Sequence, residues 1–191
     1  MNRIFSLDLD GVCFDFIGSM LREASRRGYE KKYEDIREWS AWKTGNGEVD
    51  KDLLRLLYNP EFFRGMSPLP GAMDAVELLA RHGRIVAISA RPVTARAGSI
   101  SACTEHFPAI KRVFHVKNKV DVMRRLHSRY LVEDDPKIVN RVAGLGRRFK
   151  VWIVDHPYNR GVPTARRVCR VGSLLEMAQS LDERIKRQGL E

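Results

Sequence analysis

The chain has 191 residues, 43% of them hydrophobic and 30% charged; this is the length of one ordinary domain with enough apolar material for a core, which excludes repeat arrays and a mainly disordered state. Its 34 Lys and Arg against 24 Asp and Glu leave a net charge of +10, so the first partners to consider are anionic: a phosphate compound, nucleic acid or a membrane surface. Residues 1–110 hold 15 basic and 15 acidic side chains, whereas 111–191 hold 19 and 9 and carry the whole excess.

In chain order, Ile4 to Leu9 reads as a short buried strand that runs straight into Asp8-Leu9-Asp10-Gly11-Val12. From Phe16 to Ser67 no strand is convincing; helical patterns at Ile17–Arg27, Tyr33–Trp39 and Val49–Tyr58 are separated by Thr44-Gly45-Asn46-Gly47 and Asn59-Pro60. Pro68-Leu69-Pro70-Gly71 is a stiff re-entry before a helix at Gly71–His82. Strands at Arg84–Ser89, Arg112–Val116, Tyr130–Val132 and Val151–Val154 then alternate with helices at Val93–Cys103, Lys119–Ser128 and Pro136–Leu145, and Leu174–Lys186 closes the chain as a helix. This alternation predicts an α/β fold, a doubly wound parallel sheet of Rossmann type, with a small helical insertion after the first strand. The expected division is a core of 1–15 and 68–191 and an inserted helical unit of 16–67.

Cys13, Cys103 and Cys169 are odd in number, widely spaced and without CxxC spacing, which argues against a disulfide framework or zinc knuckle and for a reducing compartment. The N-terminal stretch MNRIFSLDLDG becomes acidic too early for a signal peptide, and no window approaches the roughly 18–20 apolar residues of a membrane span. A soluble cytoplasmic protein without a membrane partner is expected; the oligomeric state is left open.

The chemistry concentrates at the strand ends, where ligands sit in doubly wound folds. Asp8 and Asp10 lie two apart and crowd two negative charges unless the chain bends at Gly11 or a cation neutralises them, for which magnesium, a hard ion with oxygen ligands, is suited. The second strand ends in Ser89-Ala90-Arg91, a hydroxyl and a guanidinium able to bind phosphate oxygens; the third is followed by Lys117-Asn118-Lys119; the fourth by Glu133-Asp134-Asp135. Taken singly, these residues also serve as helix caps, dipole partners and solvated charge.

In that order the four clusters resemble the motifs of the haloacid dehalogenase-like hydrolases. The segments DLDGVCFDF, PLPGAMDAVELL, EDDP and WIVDHPYNR are similar to the 5′(3′)-deoxyribonucleotidase group. The resemblance implies a magnesium-dependent phosphomonoesterase acting on a small phosphorylated substrate, a nucleotide. Asp8 would be the nucleophile that becomes an aspartyl phosphate and Asp10 the general acid and base. Ser89, Ala90, Arg91 and Lys119 (or Lys117) would hold the phosphate. Mg2+ would be held by Asp8, the backbone carbonyl of Asp10 and Asp134, supported by Glu133 and Asp135, with the register of the last cluster open by one residue. It also makes 16–67 a small cap, with Phe16 and Trp42 as candidates for the nucleobase side. His156 and Asn159 end a strand near the site, a position that a turn role for Pro157-Tyr158-Asn159 explains equally well, and they are not read as catalytic. Two alternatives remain: a phosphatase acting on polynucleotide ends, for which the basic second half is the motive, and a nucleic-acid-binding protein that uses the fold as a scaffold.

Overall fold

Short strands and helices alternate along the described residues, 3–28, 30–38 and 51–189, of the computed structural model. Strands β1 (Arg3–Leu7), β2 (Gly83–Ser89), β3 (Ile110–His115), β4 (Tyr130–Glu133), β5 (Lys150–Val154) and β6 (Val168–Val171) form one parallel sheet in the order β3-β2-β1-β4-β5-β6. Leu7 pairs with Ala87 on one side and Val132 on the other, and Glu133 with Ile153. The helices are α1 (Phe16–Arg26), α2 (Lys51–Arg55), α3 (Pro60–Arg64), α4 (Ala72–Ala80), α5 (Arg96–His106), α6 (Lys119–Arg125), α7 (Pro136–Ala143) and α8 (Leu174–Arg187). The fold is thus the α/β, doubly wound parallel sheet that the sequence predicts. No helix among the described residues is long and apolar enough to cross a membrane.

The two-residue period of the strands divides the core. Phe5, Leu7, Ile85, Ala87, Val132 and Trp152 face one apolar layer, shared with α1, α4, α5 and α8. Their neighbours Ile4, Val86, Ile88, Leu131, Val151 and Ile153 face the other, shared with α6 and α7. Burying side chains such as Phe5 and Leu7 contributes roughly 1.5–3 kcal/mol each. The polar Ser6 is accommodated in β1 because its hydroxyl donates to Ser128 Oγ at 2.8 Å, and Ser128 Oγ donates to the Ile4 carbonyl at 2.9 Å.

Several boundaries differ from the sequence expectation. β6 is an additional edge strand; Val168-Cys169-Arg170-Val171 is only four residues long and interrupted by an arginine, so periodicity does not single it out. The residues Val93–Ala95 form a 3-10 turn before α5. Helix α6 ends at Arg125 rather than Ser128, because His127 takes a left-handed φ of 54° and Ser128 N–H bonds the Met123 carbonyl at 2.8 Å, a Schellman stop. In the segment between β1 and β2, α1 is capped by Asp15, whose carboxylate accepts from Gly18 N–H at 2.9 Å. The pattern predicted from Tyr33 forms only a 3-10 turn, Tyr33–Asp35, within the described residues, and α3 begins at Pro60, capped by Asn59. Ile17, Met20, Ile36, Leu53, Phe63 and Met66 join the same apolar layer as Phe5 and Leu7 rather than a separate cluster.

The sheet order reverses at β1: connections run outward through β2 and β3 on one side and through β4, β5 and β6 on the other. The crevice at the carboxyl ends of β1 and β4 is therefore the switch point of the fold, where a ligand can enter between diverging loops.

Candidate active site

Asp8 follows β1 directly, and its N–H bonds the Val132 carbonyl of β4 at 2.9 Å, which fixes the residue at the switch point. Gly11 then turns the chain with φ of 70°. A Cβ here would lie 2.3 Å from Asp134 Oδ2 and 3.0 Å from the Tyr158 hydroxyl, so glycine is required both by the left-handed backbone and by the close approach of the second acidic cluster.

Asp8, Glu133 and Asp134 each place a carboxylate oxygen within 4.8 Å of the others, and all three side chains are buried. Lys119, 2% exposed, crosses from the start of α6 to bond Asp8 Oδ1 and Glu133 Oε2, each at 2.8 Å. Burial first, then the Glu133 charge, pushes the Asp8 carboxyl well above the usual carboxylate range, with Lys119 acting against them. Burial and then Asp8 push Asp134 up to about 8. Burial likewise raises Glu133. It works against the Lys119 ammonium, but Asp8 and Glu133 outweigh it and hold Lys119 above the ordinary lysine value. Three carboxylates held by one ammonium are short of positive charge. An all-oxygen, carboxylate-rich donor set of this kind fits Mg2+.

The members of the last acidic cluster are placed differently. Glu133 faces Lys119, and its Oε1 accepts from the backbone N–H groups of Asp134 and Asp135, each at 3.2 Å. Asp134 points toward Asp8. Asp135 caps α7, accepting from Lys137 N–H at 2.7 Å, while still lining the adjacent cavity.

Asp10 is held by Arg91, whose Nε lies 2.9 and 3.1 Å from its two oxygens and whose Nη2 lies 2.6 Å from Oδ1. The guanidinium, expected at the phosphate, is thus turned to Asp10. It sits 4.3 Å from the Phe63 ring centre, and its Nη1 donates to Ser99 Oγ at 2.9 Å. Ser89 is fully buried at the end of β2, where its Oγ accepts from Arg91 N–H at 3.1 Å. A cavity of about 410 Å³ opens over these groups; its walls include Asp8, Asp10, Ala90, Lys117, Lys119 and Asp134. Phe16 and Tyr58 also line it, the first edge-to-face with Phe62 and the second exposed. Trp42 lies outside the described residues.

The sequence reading places His156 and Asn159 near the site but gives Tyr158 no role and links none of them to Asp134. The Tyr158 hydroxyl donates to Asp134 Oδ2. Asn159 Nδ2 donates to the Asp134 carbonyl at 3.0 Å and the Val154 carbonyl at 2.7 Å. His156 Nε2 contacts the Gly11 carbonyl at 2.6 Å. A carbonyl only accepts, so Nε2 carries the proton and Nδ1 accepts from the Tyr33 hydroxyl. The ring stacks on Tyr158 with centres 5.1 Å apart. The signal for these contacts is the polar run His156-Pro157-Tyr158-Asn159 directly after a buried strand, which a turn does not require.

A family model described as 5′ nucleotidase, deoxy (pyrimidine), cytosolic type C protein (NT5C) matches residues 2–181. A Chlorobaculum tepidum protein with the provisional name 5′(3′)-deoxyribonucleotidase is 28% identical over 156 residues, 75% of each chain. Among solved structures, CbbY from Rhodobacter sphaeroides in complex with phosphate superposes with a TM-score of 0.61 at 15% identity, covering 93% of this chain and 96% of its own. A haloacid dehalogenase-like family hydrolase from Streptococcus pneumoniae gives a TM-score of 0.63 at 11% identity, covering 94% and 98%. At these identities the two structures establish the shared fold.

Proposed function

The chain belongs to this cytosolic type C 5′-nucleotidase family and is a phosphoric monoester hydrolase, and on that premise we propose that it is a Mg2+-dependent nucleotidase working through an aspartyl phosphate, with 5′(3′)-deoxyribonucleotides as the favoured substrate class. The observation that carries the mechanism is the contact of Lys119 with both Asp8 and Glu133 at 2.8 Å, beside Asp134. Lys119 holds the nucleophile in place and supplies positive charge where the phosphoryl oxygens arrive. An Asp8 oxygen attacks phosphorus in line with the departing ester oxygen, and Asp10 protonates that oxygen as the P–O bond breaks. Asp10, then a carboxylate, takes a proton from the water that attacks the phosphorus of the aspartyl phosphate, returning Asp8 and releasing phosphate.

Asp8, Asp134 and the Asp10 carbonyl would hold Mg2+, which neutralises the phosphate charge during transfer. Glu133 orients Lys119 and the backbone of Asp134. Arg91 orients Asp10, Ala90 lines the phosphate end of the cavity with Ser89 buried behind it against the Arg91 N–H, and Lys117 stands at its wall. The segment 16–67 acts as a cap, with Phe16 facing the leaving group; its wall position in the cavity supports that reading. The test is a panel of phosphate monoesters assayed with and without Mg2+. Deoxyribonucleoside monophosphates should turn over only with the metal, and Asp8→Asn should lose at least about 10³ in kcat without losing the fold. Preference for a 3′-phosphorylated oligonucleotide, or full activity in Asp8→Asn, would overturn the assignment.

A further inference from the structure

The proposed mechanism uses few of the cations responsible for the charge excess. A second, larger cavity of about 910 Å³ lies at the opposite edge of the sheet, against the amino ends of the strands. Its cations are Arg147, Arg148, Lys150, Arg166, Arg167 and Arg184. Arg3, at the start of β1, adds another. They come from five separate places: β1, the loop entering β5, the first residue of β5, the loop entering β6, and α8. No carboxylate lines this groove among the described residues.

The acids of α8 are engaged elsewhere: Glu176 accepts from Gly172 N–H at 2.6 Å, Asp182 pairs with His82 at 2.7 Å and Lys186 at 2.8 Å, and Glu183 pairs with Arg187 at 3.3 Å. Lys150 points its ammonium at neutral acceptors, the Arg166 carbonyl at 2.9 Å and Cys169 Sγ at 2.8 Å. So many cations gathered without a neutralising carboxylate repel one another and cost stability unless an external anion compensates them.

The shape and composition of the groove select the anion. Arg147, Arg148, Arg166 and Arg184 are exposed, an arrangement suited to a ligand laid along a surface rather than one enclosed on all sides. Arginine dominates, and its planar fork matches phosphate oxygens and stacks on bases. Half-buried Tyr130 and Phe149 line the same cavity. Cations that track a backbone, with aromatic rings within their reach, are the features of single-strand binding surfaces. We propose that this groove binds single-stranded nucleic acid through its phosphodiester backbone. The strands of the sheet separate the groove from Asp8 by roughly 15 Å, so the bound strand lies away from the phosphatase centre. The proposal goes beyond the nucleotidase reading and does not depend on it.

The test measures fluorescence anisotropy of a labelled oligothymidylate of about 20 nucleotides, longer than one such site needs, without a terminal phosphate and in EDTA, so that turnover plays no part. Binding should weaken steeply with salt. Arg147→Ala/Arg148→Ala should weaken it at least tenfold and reduce the slope of log K against log[salt] by about 1.4, with hydrolysis of a nucleoside monophosphate unchanged at about 0.15 M salt, where the distant charges are screened. Arg166→Ala/Arg184→Ala provides the same test if the first variant does not fold. Lys111→Ala/Arg112→Ala, an exposed pair on β3 that removes equal charge, should leave binding within twofold. An equal loss in that control, unchanged binding in the groove variants, or equal or tighter binding of a duplex, ATP or phosphatidylserine vesicles would overturn the proposal.

Discussion

Gly11 carries two requirements at once. Its φ of 70° costs an L-residue roughly 1–2 kcal/mol, and a Cβ would stand 2.3 Å from the Asp134 carboxylate. Gly11→Ala is therefore expected to lower unfolding stability by about 1–2 kcal/mol in a urea titration and to cut activity more than stability alone explains, because relief of the clash moves Asp134. Equal activity at saturating substrate and Mg2+ would show that the turn tolerates the shift. Tyr158 acts on the same carboxylate from the other side. Tyr158→Phe keeps the ring stacked near His156 but removes the donor to Asp134. The Mg2+ concentration for half-maximal activity should then rise by about 10-fold or more, as for other partners that orient metal-holding groups. An unchanged Mg2+ titration would remove Tyr158 from that role.

Among elements, His156 ties together the loop after β5, the turn after β1 and the 3-10 turn at Tyr33. Burial, its largest cause, holds the imidazole below its usual value of 6.5, opposed by the contact with Gly11. Between the lowered value and 6.5, the unfolded chain binds more protons at this site than the folded one. The contribution is full above pH 6.5 and is lost as pH falls through the folded value. His115 is also lowered, so the measurement is a difference: His156→Gln should show a shallower fall in stability than wild type between about pH 7 and 5, and identical slopes would rule the link out. These connections also mark how far the sequence could be read. Strands β1, β2, β4 and β5 were legible because each faces apolar layers on both sides, leaving short unbroken apolar runs. Asp8, Asp10 and Asp134 were legible because acids at the end of such runs lack a packing role. β6 was hidden by its edge position, and the contact of Arg91 with Asp10 by distance, because the two lie 81 residues apart in the chain. The His156–Tyr158 contacts with the turn after β1 are likewise nonlocal, and no periodicity reports them.

At the scale of the molecule, charge is sorted along the strand direction. Asp8, Glu133 and Asp134 lie at the carboxyl edge of the sheet, while the arginine groove lies at the amino edge. A net charge of +10 attracts a phosphate dianion from a distance, but the separation between edges, roughly 15 Å, exceeds the Debye length of about 8 Å at 0.15 M salt. The distant arginines should therefore assist substrate capture only at low ionic strength. Exposed Lys117, on the wall of the active-site cavity, should assist at both. Raising salt from about 0.01 to 0.15 M should lower kcat/KM for a nucleoside monophosphate several-fold and leave kcat unchanged, because steering acts on encounter and not on the bound complex. Arg147→Ala/Arg148→Ala should lower kcat/KM at the low salt only, and Lys117→Ala at both. If the arginine variant loses as much at about 0.15 M as at 0.01 M, these residues act on the substrate by contact rather than through the screened field, and the separation of the two edges would have to be abandoned.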